Sequence, residues 1–109
     1  MSEAPKILIG PEDQKVKDSG AVTFVCLASG RPTPTVQWWK SGRRINTYRQ
    51  RYMVLNVTEG SILRIEPARA RRDDGIVECR ADNGIGETAI ATAKIDVYGE
   101  NQTGNVSIL

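Results

Sequence analysis

The stretch VTFVCLASGRPTPTVQWWK, residues 22–40, decides the fold. Counted in twos, Val22, Phe24, Cys26 and Ala28 share one face, while Thr23, Val25 and Leu27 share the other. That is the period of an extended strand with one side turned to a core. Two prolines within Gly30-Arg31-Pro32-Thr33-Pro34 end the strand, since proline brings no N–H to a sheet ladder. Alternation then resumes, with Val36 and Trp38 on one face and Gln37 and Trp39 on the other, until Ser41-Gly42 turns the chain.

The same reading extends outward. Tyr52-Met53-Val54-Leu55 and Ser61-Ile62-Leu63-Arg64-Ile65 make two strands around the connection from Asn56 to Gly60. Ile76 to Asp82 makes another, with Val77, Cys79 and Ala81 on one face, and after Asn83-Gly84-Ile85-Gly86 a long last strand runs from Glu87 to about Tyr98. Short segments near Ile7 to Ile9 and Gln14 to Lys17 complete the sheets. By count alone, two cysteines at wide separation read either as one disulfide or as two buried thiols. Their placement says more: Trp38 falls twelve residues after Cys26, and Cys79 falls fifty-three after it on the penultimate strand. A Cys, a Trp about a dozen residues on and a second Cys there form the immunoglobulin framework, in which a disulfide bridges two sheets and the indole packs on it. The expected fold is therefore all-β, an immunoglobulin-like (I-set) two-sheet sandwich with one inter-sheet disulfide, Cys26–Cys79, and Trp38 in the core. A loop of this length contributes on the order of 4 kcal/mol under the loop-entropy model. Leu63-x-Ile65, Asp73-x-Gly75 and Asn83-x-x-Gly86 agree with it. One mark is missing: Val77 stands two residues before the second cysteine, where a corner tyrosine is usual. Asp73 is still expected to pair with Arg51, the arginine leading into the fourth strand.

At 109 residues the chain suits one domain, and ten Gly and five Pro punctuate short Val, Ile and Leu runs, which favours short strands over long helices. The organisation read from the pattern is an immunoglobulin-like domain over 4–98 and a polar C-terminal linker to the next domain over 99–109. No apolar run approaches the roughly 20 residues that span a membrane. The N-terminus, Met1-Ser2-Glu3-Ala4-Pro5, lacks the apolar stretch of a signal peptide. If the protein is secreted or membrane-bound, its leader and anchor lie outside this sequence, and contact with a membrane is only through such a segment. Asn56-Val57-Thr58, Asn101-Gln102-Thr103 and Asn105-Val106-Ser107 match the N-glycosylation acceptor pattern, and three matches point to an oxidising exterior.

Net charge is only +2, but it is unevenly distributed. Between positions 40 and 72, Lys40, Arg43, Arg44, Arg49, Arg51, Arg64, Arg69, Arg71 and Arg72 stand against Glu59 and Glu66 alone. A dipolar domain of this kind steers a polyanion onto one region while staying near neutral as a whole. The bland alternative is a solvated, Arg-rich face without a ligand. In the expected topology the turn at Lys40 to Arg44 and the turn at Ala68 to Asp73 fall at the same end, with the turn near Lys17 at their border. Arginine forks pair bidentately with sulfate or phosphate oxygens, so the combined patch suits a sulfated or phosphorylated polymer. Trp39 points away from Trp38 and is expected to be partly exposed, either as a contact anchor or under a neighbouring arginine stem.

Trp38-Trp39-Lys40-Ser41-Gly42-Arg43-Arg44-Ile45, Ser61 through Asp74 and Glu78 through Glu87 resemble the first immunoglobulin domain of the leukocyte common antigen-related (LAR) receptor protein tyrosine phosphatases, most of all the invertebrate members. The resemblance covers roughly residues 4 to 98. It implies a domain that binds heparan sulfate or chondroitin sulfate chains of proteoglycans through these two turns. The positions that match are Lys40, Arg43, Arg44, Arg69 and Arg72. The family often carries a further lysine where Ser41 stands, and Arg71 is a nearby substitute. It also implies a parent that is a single-pass cell-surface receptor in axon guidance and synapse adhesion, with this part extracellular and the phosphatase domains cytoplasmic.

None of that phosphatase chemistry is legible here, since there is no His-Cys-x5-Arg loop and no histidine at all. With both cysteines in framework positions, no acid–base pair, nucleophile pair or metal site can be assembled, and no cofactor is expected. Three functions remain. The first is a receptor ectodomain module binding glycosaminoglycan through Lys40, Arg43, Arg44, Arg69, Arg71 and Arg72. The second is a protein–protein adhesion module using Trp39 and the sheet that bears Cys79. The third is an intracellular muscle-type immunoglobulin domain. Nucleic acid ranks last, because the chain offers no element that reads bases.

Overall fold

A computed structural model of the chain describes residues 1–45 and 51–99. Among the described residues nine strands are seen: β1 (Glu3–Ile9), β2 (Gln14–Lys17), β3 (Val22–Arg31), β4 (Thr35–Lys40), β5 (Arg43–Arg44), β6 (Tyr52–Val57), β7 (Gly60–Ile65), β8 (Gly75–Asp82) and β9 (Ala89–Tyr98). They form a four-stranded sheet in the order β1-β3-β7-β6 and a five-stranded sheet in the order β2-β9-β8-β4-β5. All pairs are antiparallel except β2 with β9.

Alternation translates directly into burial. Val22, Phe24, Cys26 and Ala28 of β3 are buried, as are Val36 and Trp38 of β4 and Val77, Cys79 and Ala81 of β8. Phe24, Leu63, Ile65, Val77 and Ile95 lie at the centre, and each such side chain contributes about 1.5–3 kcal/mol on leaving water. Cys26 and Cys79 form the disulfide between the sheets, with Cα atoms 6.5 Å apart. Trp38 is the register partner of Cys79, which places the indole against the bridge. Its Nε1–H donates to Ser61 Oγ in the opposite sheet at 2.9 Å, so the buried ring's polar atom is satisfied.

Several details depart from the sequence reading: β1 begins at Glu3 rather than near Ile7, and β6 and β7 extend into the Asn56 to Gly60 connection, leaving only Thr58-Glu59 between them. Arg43 and Arg44, read as part of a turn, form the short strand β5, which pairs Lys40 with Arg43 and Trp39 with Arg44. The loop is only Ser41-Gly42, at φ 49° and 83°. A two-residue hairpin needs this doubly left-handed turn, which glycine adopts without strain. The last strand begins at Ala89, two residues later than expected. Before it, Asp82 Oδ1 accepts the Gly84 N–H and Asn83 Oδ1 accepts the Ile85 N–H, so side chains hold the turn that precedes the strand.

Candidate functional site

The β4–β5 hairpin and the turn between β7 and β8 meet at one end of the sandwich. The Ser41 N–H donates to the Ile76 carbonyl at 2.9 Å, which docks the hairpin tip on the start of β8. A Cβ on Gly75 would stand 2.7 Å from Ser41 Oγ, so the approach is close. Lys40 Nζ donates to the Arg72 carbonyl at 3.3 Å, joining the two basic turns directly.

The second turn is shaped by Asp73. Its Oδ2 accepts the Arg69 N–H at 2.6 Å, and its own N–H returns to the Arg69 carbonyl at 3.0 Å, closing one tight loop. Ala68 and Ala70 pack inward, leaving Arg69, Arg71 and Arg72 exposed. Arg51 clamps the carboxylate from below, with Nη1 to Oδ2 at 2.5 Å and Nη2 to Oδ1 at 3.2 Å, which is the pairing anticipated from sequence. The Tyr52 hydroxyl adds a bond to Oδ1 at 2.6 Å. Burial pushes the Asp73 carboxyl up, but the bonds from Arg51, Tyr52 and the Arg69 N–H outweigh it and hold the group below its ordinary value. Arg51 is raised by its bond to Asp73, against the opposing effect of burial.

Between the turns lies a cleft of about 480 Å³ lined by Lys40, Arg43, Arg44, Ile45, Arg51, Tyr52, Arg72 and Asp73. The lining carboxylate among the described residues, Asp73, is already engaged by Arg51. Among the described residues, Lys40, Arg43, Arg44 and Arg72 form no ion pair, so their charges face the opening uncompensated.

The remaining basic positions are placed differently. Arg69 turns away to the β2–β3 connection, where it reaches Asp18 at 3.7 Å and Ser19 Oγ at 3.1 Å. Asp18 also accepts the Ala70 N–H at 2.8 Å, which ties the two turns together. Arg71 is exposed at φ 70° and does not line the cleft. Lys17 is exposed at the border. Arg64 pairs with Glu66 on the outer face of the four-stranded sheet. Arg49, Asn101 and Asn105 lie outside the described residues, as does the segment 100–109. Asn56 is exposed near the end of β6.

Trp39 resolves in favour of the covered alternative. The Arg80 guanidinium lies 3.9 Å from its ring centroid and is itself held by Glu78. Three contributors were not legible as such in the sequence: Asp18, Tyr52 and Arg80. Each acts on a residue many positions away, and only the alternation of β8, which puts Arg80 on the same outward face as Trp39, hinted at one of them. Among the described residues no group of three or more His, Cys, Asp or Glu side chains is arranged to hold a metal ion.

Comparison with known proteins follows the same lines. A family profile described as an immunoglobulin domain matches residues 4–83. The tyrosine-protein phosphatase Lar of Drosophila melanogaster is 42% identical over 100 residues, covering 91% of this chain and 5% of that protein. The chain thus spans about a twentieth of its curated relative's length. The crystal structure of the N-terminal Ig1-2 module of the Drosophila receptor phosphatase DLAR superposes with a TM-score of 0.84 at 41% identity, over 90% of this chain and 50% of that one. Titin domain M7 superposes almost as well, with a TM-score of 0.83 at 26% identity over 91% of this chain and 98% of that domain. Backbone shape alone therefore does not separate a receptor domain from a muscle one.

Proposed function

This chain belongs to the immunoglobulin-domain family and is homologous to the N-terminal immunoglobulin domain of LAR-type receptor tyrosine phosphatases, and from that premise we propose that it is an extracellular binding module for sulfated glycosaminoglycan. The observation that carries this reading is the cleft between the two basic turns. Lys40, Arg43, Arg44 and Arg72 surround it without a neutralising acid of their own among the described residues. Fixed cations around a concave opening attract a chain of sulfates, and arginine forks hold sulfate oxygens in pairs. Heparan or chondroitin sulfate chains of proteoglycans have this chemistry. In this reading Arg71 extends the contact at one flank, and Arg69 contributes least because Asp18 shares its charge. The module does no chemistry itself. It positions a cell-surface receptor phosphatase on its proteoglycan ligand, in axon guidance or synapse adhesion.

The test is a salt gradient on immobilised heparin. Affinity for a polyanion rests largely on counterion release, and each lost contact lowers the log–log salt slope by about 0.7–0.9. The triple variant Lys40→Ala, Arg43→Ala, Arg44→Ala is expected to reduce the slope by roughly 2 to 3 on that basis. Co-elution of the variant with the wild type would refute the site.

A protein–protein adhesion surface is the second reading. The outward face of the Cys79 sheet exposes Ile76 and Ile90 at 45% and 55%. Trp39, under Arg80, is not offered to a partner there. A pulldown that survives both high salt and the triple variant would favour this surface over the cleft.

A further inference from the structure

Among the described residues, β6 has a neighbouring strand on one side only, β7, and the four-stranded sheet ends with it, which leaves Met53–Val57 as a free edge. Its sequence, Tyr52-Met53-Val54-Leu55-Asn56-Val57, contains no charged residue and no proline. Met53, Leu55 and Val57 point outward and are 50%, 61% and 38% exposed. The apolar row continues inward along the sheet, for Leu55 is the register partner of Ile62 and Ile62 that of Val25. A flat apolar edge with open backbone donors and acceptors invites pairing with another chain, and proteins protect such edges with charge, proline, a bulge or a cover. Inside β6 no charge, proline or bulge is present: its pairing with β7 runs in unbroken register from Tyr52 to Val57.

The sequon Asn56-Val57-Thr58 occupies the end of this strand. Asn56 and Thr58 are both exposed, and the chain turns at Thr58-Glu59 before returning as β7. Asn56 lines the open groove between the two sheets on the side of the free edge, together with Thr35, Gln37, Arg44, Ile45 and Val54. We infer that Asn56 carries an N-linked glycan, and that this glycan is the cover of the β6 edge. The acceptor reaction joins the amide Nδ2 of Asn56 to the anomeric carbon of an oligosaccharide on a lipid pyrophosphate donor. The C1–Nδ2 bond forms, the C1–O bond to the donor breaks, the lipid pyrophosphate leaves and one amide proton goes to a transferase base. A bulky hydrated chain at that point lies across the groove mouth and blocks a second strand from approaching β6.

The inference rests on the extracellular part of the reading above. Its test is expression of the chain through a eukaryotic secretory route, followed by glycopeptide mass mapping and light scattering. The peptide containing Asn56 is expected to carry a hexosamine-based mass that peptide N-glycosidase removes, leaving a carboxylate at position 56. Thr58→Ala abolishes that mass without altering Asn56. The glycosylated protein is expected to stay monomeric, whereas Thr58→Ala, which keeps a neutral Asn56 on the edge, self-associates as concentration rises. Adding Leu55→Lys to Thr58→Ala restores the monomer by charging the edge. An unmodified Asn56 in a secreted, disulfide-bonded chain overturns the inference and leaves the binding-module reading standing. A Thr58→Ala protein that remains monomeric overturns the covering role. A chain that is not secreted and keeps both thiols free overturns both readings. Heparin elution is a separate measurement, so failure of the basic cleft leaves the Asn56 result unaffected.

Discussion

Replacing Asp73 with Asn is expected to weaken the fold and strengthen polyanion binding at once. The Asp73 side chain is 1% exposed, and its two oxygens accept bonds from Arg51, the Tyr52 hydroxyl and the Arg69 N–H. A carboxamide preserves the shape, but its nitrogen accepts nothing, so at least one donor loses its partner and the Arg51 charge faces a neutral group. Breaking a buried ion pair from one side costs about 3–5 kcal/mol. Arg51 keeps a quarter of its surface in solvent and a bond to the Pro67 carbonyl at 2.9 Å, which puts the loss at the lower end, about 3 kcal/mol. At about 4–8 °C per kcal/mol for a domain of this size, the melting temperature should fall by about 12 °C or more. The pH dependence has a definite sign. Because the folded carboxyl titrates below its ordinary 3.8, its contribution is complete above that value and disappears as pH falls through the folded one. The wild type should therefore lose melting temperature in acid more steeply than Asp73→Asn. Binding moves the other way: Arg51 lines the cleft, and without Asp73 its charge joins the four free cations. The salt slope on heparin should steepen by about 0.7–0.9. Thermal melts by circular dichroism and a heparin gradient measure both effects. An unchanged melting temperature, or earlier elution of the variant, would refute the placement of Asp73 as a clamp that withholds Arg51 from the cleft.

Other outcomes follow from the same geometry. Arg72→Ala should elute earlier from heparin than wild type, whereas Arg69→Ala should elute nearly with it, because Arg69 is shared with Asp18; equal losses in the two would contradict that distinction. Arg80→Ala should uncover the Trp39 ring, raising its quenching by acrylamide and lowering stability by about 0.5–1 kcal/mol, with heparin retention essentially preserved. Trp38→Phe removes the bond to Ser61 Oγ and leaves a buried hydroxyl with only a long contact to the Leu55 carbonyl, so urea denaturation should show a loss of about 1–3 kcal/mol.

Much of this molecule was readable from one end of the sequence to the other. The residue pairs that alternate along β3, β4 and β8 are buried as their period requires, because a strand turns successive side chains to opposite faces whatever surrounds it. Cys26, Trp38 and Cys79 needed only their spacing to be placed together, and Arg51 with Asp73 needed only the framework. Even the joining of the two basic turns follows from strand order.

Which cations are free was decided elsewhere. Arg69 and Arg72 belong to the same turn and carry the same group, yet one leans on Asp18 and the other opens on the cleft. Arg80 covers Trp39, and Tyr52 supplies the hydroxyl that holds Asp73. Periodicity reports the face on which a side chain stands and is a property of the local backbone. A charge's availability depends on which distant side chain comes within a few ångströms of it, and that distance exists only once the sheets have packed.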